Sequence, residues 1–139
     1  MTPARNEIAR ILIVDDEPSI RRFASRALAS VGYHVLEAAD GAEALAVICT
    51  DREAIDAVVS DVVMPAMSGV ELLQHLAVSH PHVPVILMSG YGSGQLQQRG
   101  IAVPCGVLAK PFTPGRLVEE VQRCLRGTDP IATPGRASG

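Results

Sequence analysis

Tryptophan is absent, and tyrosine and phenylalanine contribute two residues each, so aromatics are only 3% of the 139 residues. That scarcity excludes a stacking platform for single-stranded nucleic acid, which needs several aromatic faces. A basic excess is missing too. The formal charge is −3, whereas a nucleic-acid surface needs clustered positive charge. The three cysteines, Cys49, Cys105 and Cys124, form no CxxC pair. Neither a disulfide framework nor a zinc site is therefore expected, and a reducing compartment fits best. No apolar run approaches the roughly 18 residues of a membrane-spanning helix. The opening MTPARNEIAR lacks the apolar stretch of a secretory signal. The expectation is a soluble cytoplasmic domain with no membrane partner. Hydrophobic residues are 47% and charged residues 19%, which suits a folded globular chain. Its core must come from Val, Ile, Leu and Ala, as in a parallel sheet buried on both faces.

Strand-like and helix-like segments alternate along the chain. Ile11–Val14 is a wholly apolar, β-branched run, read as a buried strand. Pro18 opens a helix, where its missing N–H costs nothing. Ile20, Phe23, Ala24, Ala27, Leu28 and Val31 recur on one helical face, and Gly32 stops it. Residues 33–38 form the second strand. Asp40 and Glu43 have capping-box spacing, and Ala44, Leu45 and Ile48 face inward on the next helix. A third strand from Ala57 ends at Asp61. A second capping box, Ser68 with Glu71, opens a helix with Leu72, Leu73 and Leu76 inward. Residues 83–88 form the fourth strand, ending at Ser89. Gly90, Gly92, Gly94 and Gly100 interrupt the next stretch, so only a short or frayed fourth helix is expected over 95–99. Residues 106–109 form the fifth strand, ending at Lys110. Thr113 and Pro114 start a last helix with Leu117, Val118, Val121 and Leu125 inward. One domain over residues 8–126 is expected, with flexible termini at 1–7 and 127–139.

Five βα units imply an α/β fold, a single doubly wound domain with one parallel sheet. Ligands of such sheets bind at the carboxyl ends of the strands. Asp15 and Asp16, Asp61, Ser89 and Lys110 each follow an apolar run, so the topology brings them to one crevice. Close carboxylates repel one another, and a hard cation such as Mg²⁺ relieves that while keeping room for a phosphate. A Lys charge and a Ser hydroxyl suit the remaining phosphoryl oxygens. The combination supports phosphoryl transfer to a carboxylate nucleophile.

Four segments, Ile-Val-Asp15-Asp16-Glu-Pro, Asp61-Val-Val-Met-Pro-Ala-Met-Ser-Gly69, Leu-Met-Ser89-Gly-Tyr and Lys110-Pro-Phe, occur in order at strand ends. Together they resemble the receiver domain of bacterial two-component response regulators over residues 11–126. The resemblance implies a CheY-like, flavodoxin-like (βα)5 fold with strand order 2-1-3-4-5. It implies a phosphorylation-activated signalling module rather than a turnover enzyme. Asp61 would accept the phosphoryl group from a histidine kinase or a histidine phosphotransfer protein. Asp16, Asp61 and the Val63 carbonyl would ligate Mg²⁺, with Asp15 acting through water. Ser89 and Lys110 would bind the phosphoryl oxygens, and the Lys110–Pro111 bond is often cis in such domains.

The chain departs from that family at Val107, where the usual switch residue is aromatic. The segment around Tyr91 is the expected substitute, ordering on phosphorylation. Val63 cannot orient an attacking water, and bulky Tyr91 can shield an acyl phosphate, so slow self-dephosphorylation is expected. Kinase contact is expected at Arg21, Arg22 and Phe112. A downstream protein target is implied, and direct nucleic-acid binding is not. A monomer is the default, with a dimer through the last helices and fifth strand as the alternative. A free-standing regulator and the receiver of a hybrid histidine kinase both fit. An aspartate-nucleophile phosphatase fits less well, since Glu17 stands where DxD needs Asp. A phosphate-independent adaptor would need a degraded pocket. Gly90–Gly94 fails the phosphate-loop templates, and His80-Pro-His82 reads as a loop.

Overall fold

The computed structural model describes residues 8–50, 54–90 and 104–127. Five strands, β1 (Arg10–Val14), β2 (His34–Ala38), β3 (Ala57–Asp61), β4 (Val85–Ser89) and β5 (Gly106–Ala109), form one parallel sheet in the order β2-β1-β3-β4-β5. Four described helices accompany them: α1 (Pro18–Ala29), α2 (Gly41–Thr50), α3 (Gly69–Ser79) and α4 (Pro114–Gly127). The expected short helix over 95–99 and the outer terminal segments, 1–7 and 128–139, lie outside the described residues. α4 includes Gly127, one residue beyond the expected domain limit.

The central strands are mainly apolar because both faces are covered, while the edge strand β2 carries exposed His34 and Glu37. Every residue of β3 and β4 is buried. Side chains alternate across a strand, and the two cores follow that alternation. Leu12, Val14, Val58 and Leu87 pack with Ala44 and Ile48 of α2 and Leu72, Leu73 and Leu76 of α3. Ile11, Ile13, Val59, Ile86 and Met88 pack with Ala24, Ala27 and Leu28 of α1 and Leu117 and Val121 of α4. Each fully buried Leu or Ile contributes roughly 1.5–3 kcal/mol. A one-residue register slip would exchange the two faces of a strand.

Local chemistry sets the element ends. The Ser68–Glu71 capping box forms in full. Asp40 accepts the Glu43 N–H at 2.8 Å, while Glu43 accepts the N–H of Ala39 rather than that of Asp40. Thr113 Oγ1 accepts the Arg116 N–H at 3.1 Å and starts α4. Gly32 adopts φ +103°, a left-handed conformation that favours glycine and closes the end of α1. β2 begins at His34, because the Tyr33 N–H turns back to the Leu28 carbonyl. β4 begins at Val85, after a turn in which the Val83 N–H donates to the His80 carbonyl.

Phe23, Val31 and the cysteines depart from what the sequence suggests. Phe23 and Val31 do not lie in the core. They are 40% and 50% exposed, since Phe23 sits at the stripe's edge against Phe112 and Val31 lies past the helix end. Glu120, on the inner side of α4, is buried. Cys105 and Cys124 are disulfide-bonded, because the turn between β5 and α4 folds residues 19 apart back to a Cα separation of 6.0 Å. Cys49 is free and exposed.

Glu120 is buried as a paired charge. It accepts from Arg123 at 2.8 Å and from Arg116 at 3.2 Å. Gly106 makes room for it: a Cβ there would stand 2.5 Å from Glu120 Oε2. The Arg123 hydrogen bond, reinforced by Arg116 against the opposing effect of burial, holds the Glu120 pKa below the ordinary carboxylate value. A lowered folded-state pKa contributes stability above the unfolded value, lost as pH falls through the folded one. Glu120→Gln is expected to cost about 1 kcal/mol near neutral pH. In urea unfolding at stepped pH, its deficit against the parent closes on acidification. A deficit independent of pH would contradict the ion-pair account.

Candidate functional site

The sheet's order reverses between β1 and β3, and the crevice at their carboxyl ends holds the acidic groups. The Asp15 N–H donates to the Ala38 carbonyl at 3.1 Å, extending the β1–β2 ladder by one residue. Asp15 Oδ1 accepts the Glu17 N–H at 2.8 Å, which fixes the turn into α1. Asp61 ends β3. The next N–H, of Val62, donates to the Met88 carbonyl at 3.0 Å. Ser89 ends β4, and its carbonyl accepts the Lys110 N–H at 2.8 Å. Lys110 is the first residue past β5, and its bond to Pro111 is cis.

Asp15, Asp16 and Asp61 each place a carboxylate oxygen within 4.8 Å of the others. Asp15 is fully buried, Asp61 nearly so, and Asp16 is exposed. The Lys110 ammonium donates to Asp61 Oδ1 at 3.1 Å and to Asp15 Oδ2 at 3.3 Å. Lys110 thus bonds two of the three carboxyl groups. Burial pushes the Asp61 pKa up, and the charge of Asp15 adds to the rise. Hydrogen bonds from Lys110 and the Val63 backbone N–H offset it only in part. Burial pulls Lys110 down, yet Asp61 and Asp15 together outweigh it and hold the ammonium above its ordinary value. This oxygen-rich, partly open donor set suits a hard divalent cation.

Two supporting residues carry roles that sequence periodicity does not signal. Arg21 donates to the Asp15 carbonyl at 2.6 Å and to Glu37 at 3.1 Å. It ties β1, α1 and β2 together behind the acidic pair. Arg22, by contrast, is exposed in a groove with Ser19, Phe23, Arg26 and Pro114. Gly69, the first residue of α3, donates its N–H to the Val62 carbonyl at 2.9 Å. A Cβ there would stand 2.1 Å from the Asp61 carbonyl oxygen, so only glycine lets α3 start against the end of β3. The close spacing of Asp61 and Gly69 is the only trace of this in the sequence.

Of the other residues singled out, Val63 is 63% exposed beside the cluster. Val107 is half-buried against the core on the α2 and α3 side. Tyr91 lies outside the described residues. The His80 and His82 rings are 6.4 Å apart, and the aspartate trio is the metal-competent cluster found among the described residues. No helix among the described residues is long and apolar enough to cross a membrane.

Comparison with known proteins agrees with this geometry. The sequence profile of the response regulator receiver domain matches residues 11–122. The sensor kinase CckA of Brucella abortus is 41% identical over 122 residues, covering 87% of this chain and 13% of the kinase. The chain spans about half the length of the response regulators it also matches. The chemotaxis response regulator CheY4 of Vibrio cholerae superposes with a TM-score of 0.77 at 35% identity, covering 85% of this chain and 99% of that one. The response regulator TrrA of Thermotoga maritima, solved in complex with Mg²⁺–BeF, superposes at 0.73 with 29% identity, covering 84% and 99%.

Removing the ammonium leaves a fully buried carboxylate beside two others. Breaking a fully buried pair costs about 3–5 kcal/mol, and the partial exposure of Lys110 reduces that. Lys110→Met is expected to lose about 2 kcal/mol in metal-free urea unfolding. The loss shrinks when Asp61→Asn is added. An unchanged unfolding midpoint for Lys110→Met would contradict this charge balance.

Proposed function

The chain belongs to the response regulator receiver domain family, and on that premise we propose that Asp61 is its phosphoacceptor and that residues 8–126 are the functional unit. The observation that carries this reading is the Lys110 ammonium, bound to Asp61 Oδ1 and Asp15 Oδ2 at once. The three carboxyl groups differ in what they can do. Asp15 is fully buried, with one oxygen on the Glu17 N–H and the other on Lys110. Asp16 is exposed. Asp61 is anchored by Lys110 and by the Val63 N–H.

In the transfer, an ionised Asp61 oxygen forms the new O–P bond as the donor's bond to phosphorus breaks. Its donor is a phosphohistidine of a kinase or phosphotransfer protein. Asp16, Asp61 and the Val63 carbonyl would hold Mg²⁺, with Asp15 acting through water, and the ion would offset the charge of the carboxylates and the incoming phosphoryl oxygens. Lys110 shifts from the carboxylates to the phosphoryl oxygens, keeping its charge because its pKa is held up. Ser89, at the adjoining strand end, supplies a hydroxyl to the same oxygens. The Lys110 N–H is bound to the Ser89 carbonyl, so the ends of β4 and β5 respond together. That coupling needs no aromatic ring at Val107. The module phosphorylates and dephosphorylates only itself, in the cytoplasm, as a monomer.

The partner surface is the groove beside Arg22, with the Phe23 and Phe112 rings 5.8 Å apart at its edge. The likeness to the CckA kinase favours a second context, the receiver of a hybrid histidine kinase. The chemistry at Asp61 is the same in both contexts.

Incubation with acetyl phosphate and Mg²⁺, read by intact mass, is expected to add one phosphoryl group. The addition is lost in Asp61→Asn and when the metal is chelated. A phosphoryl group still gained by Asp61→Asn, or none gained by the parent, would overturn the assignment.

A further inference from the structure

The bond between Cys105 and Cys124 stands apart from the acidic crevice. Cys105 immediately precedes β5, and Cys124 lies in the last turns of α4. Their Cα separation of 6.0 Å falls within the range of unforced disulfides. The surrounding backbone is held without the bond. The Cys105 N–H donates to the Val85 carbonyl at 2.7 Å, and the Cys105 carbonyl accepts from Arg123 at 2.8 Å. Leu117 and Val121, both fully buried, seat α4 on the sheet. The fold therefore accommodates the dithiol as well as the disulfide.

The two sulfurs are not equivalent. Cys124 is fully buried, whereas Cys105 is half-buried. The Arg123 guanidinium stands 3.6 Å from Cys124 Sγ. A neighbouring cation can stabilise charge that develops on this sulfur during exchange.

We propose that Cys105 and Cys124 are a reversible thiol–disulfide pair that exchanges with small-molecule thiols such as glutathione, with Cys105 as the entry sulfur and Cys124 as the resolving one. In the oxidising direction, the Cys105 thiolate attacks one sulfur of glutathione disulfide and releases one glutathione. The Cys124 thiolate then attacks the Cys105 sulfur of the mixed disulfide and releases the second. Two protein thiols are oxidised, one glutathione disulfide is reduced, and the two thiol protons end on the two glutathiones. Reduction runs the same steps backwards. The closed loop contains Lys110 and Phe112, so the oxidised form covalently restrains the segment that supplies both the site's cation and the edge of the partner groove. Exchange itself does not depend on the phosphoacceptor reading.

The test uses the full chain with Cys49→Ser, which removes the third thiol. The protein is equilibrated in glutathione buffers from fully reduced to fully oxidised, quenched in acid, alkylated and mapped by mass without reduction. The Cys105–Cys124 link is expected to appear and disappear reversibly across the series. The thermal midpoint falls by about 5–10 °C on reduction, as expected for a loop of this length. Cys124→Ser, checked for folding by circular dichroism beside Cys124→Ala, traps one glutathione on Cys105. Cys105→Ser traps none on buried Cys124. The proposal is overturned if both thiols alkylate even in oxidised buffer, or if the link survives excess reduced glutathione. Capture of glutathione on Cys124 in folded Cys105→Ser would overturn the assigned order.

Discussion

The Lys110 ammonium bonds to two carboxylates delivered by two different strands, and that contact defines the site. Asp15 comes from β1 and Asp61 from β3, on the two sides of the point where the strand order reverses. Lys110 arrives from β5, at the far edge of the sheet. The contact therefore requires the register of every strand from β1 to β5. Without it the fully buried Asp15 would lose its ion-pair partner, at a cost of about 2 kcal/mol. The same ammonium leaves the trio under-neutralised, and that imbalance is what makes the crevice receptive to a divalent cation.

The rest of the architecture serves that convergence. Central strands buried on both faces make a platform, and the polar residues at their carboxyl ends emerge together at one edge. Arg21 braces the turn after β1 from behind, and Gly69 lets α3 begin against the Asp61 carbonyl. Activity and stability pull in different directions here: three close carboxyl groups weaken the fold in order to build a site. The disulfide at the opposite end of β5 acts on the same strand without touching the acidic groups. β5 is thus held at its start by a covalent bond and at its end by ion pairs.

Much of this was legible from residue order. Asp15, Asp61, Ser89 and Lys110 each stand where an apolar run stops, and alternating strands and helices require one sheet edge to collect them. The strand order followed from the family resemblance, and the Ser68–Glu71 box from residue spacing. The unread parts depend on tertiary contact. Arg21 is one arginine of a pair, and nothing local separates the inward one from exposed Arg22. Glu120 looks like a solvated charge until Arg116, Arg123 and Gly106 are seen around it. Cys105 and Cys124 lack a recognisable spacing, because a strand-to-helix turn rather than a motif brings them together. Phe23 fits the helical stripe by period, but its position at the stripe's edge leaves it half exposed against Phe112.

The Lys110 ammonium leaves the aspartate trio short of positive charge, and a divalent cation is expected to supply it. Thermal unfolding with Mg²⁺, and with NaCl at matched ionic strength, tests this in the parent and in Asp16→Asn. Mg²⁺ at about a hundred times its dissociation constant is expected to stabilise the parent by roughly 2.7 kcal/mol. NaCl should not do so, and Asp16→Asn should lose most of the gain. Equal responses to the two salts, or an undiminished Mg²⁺ effect in Asp16→Asn, would contradict it.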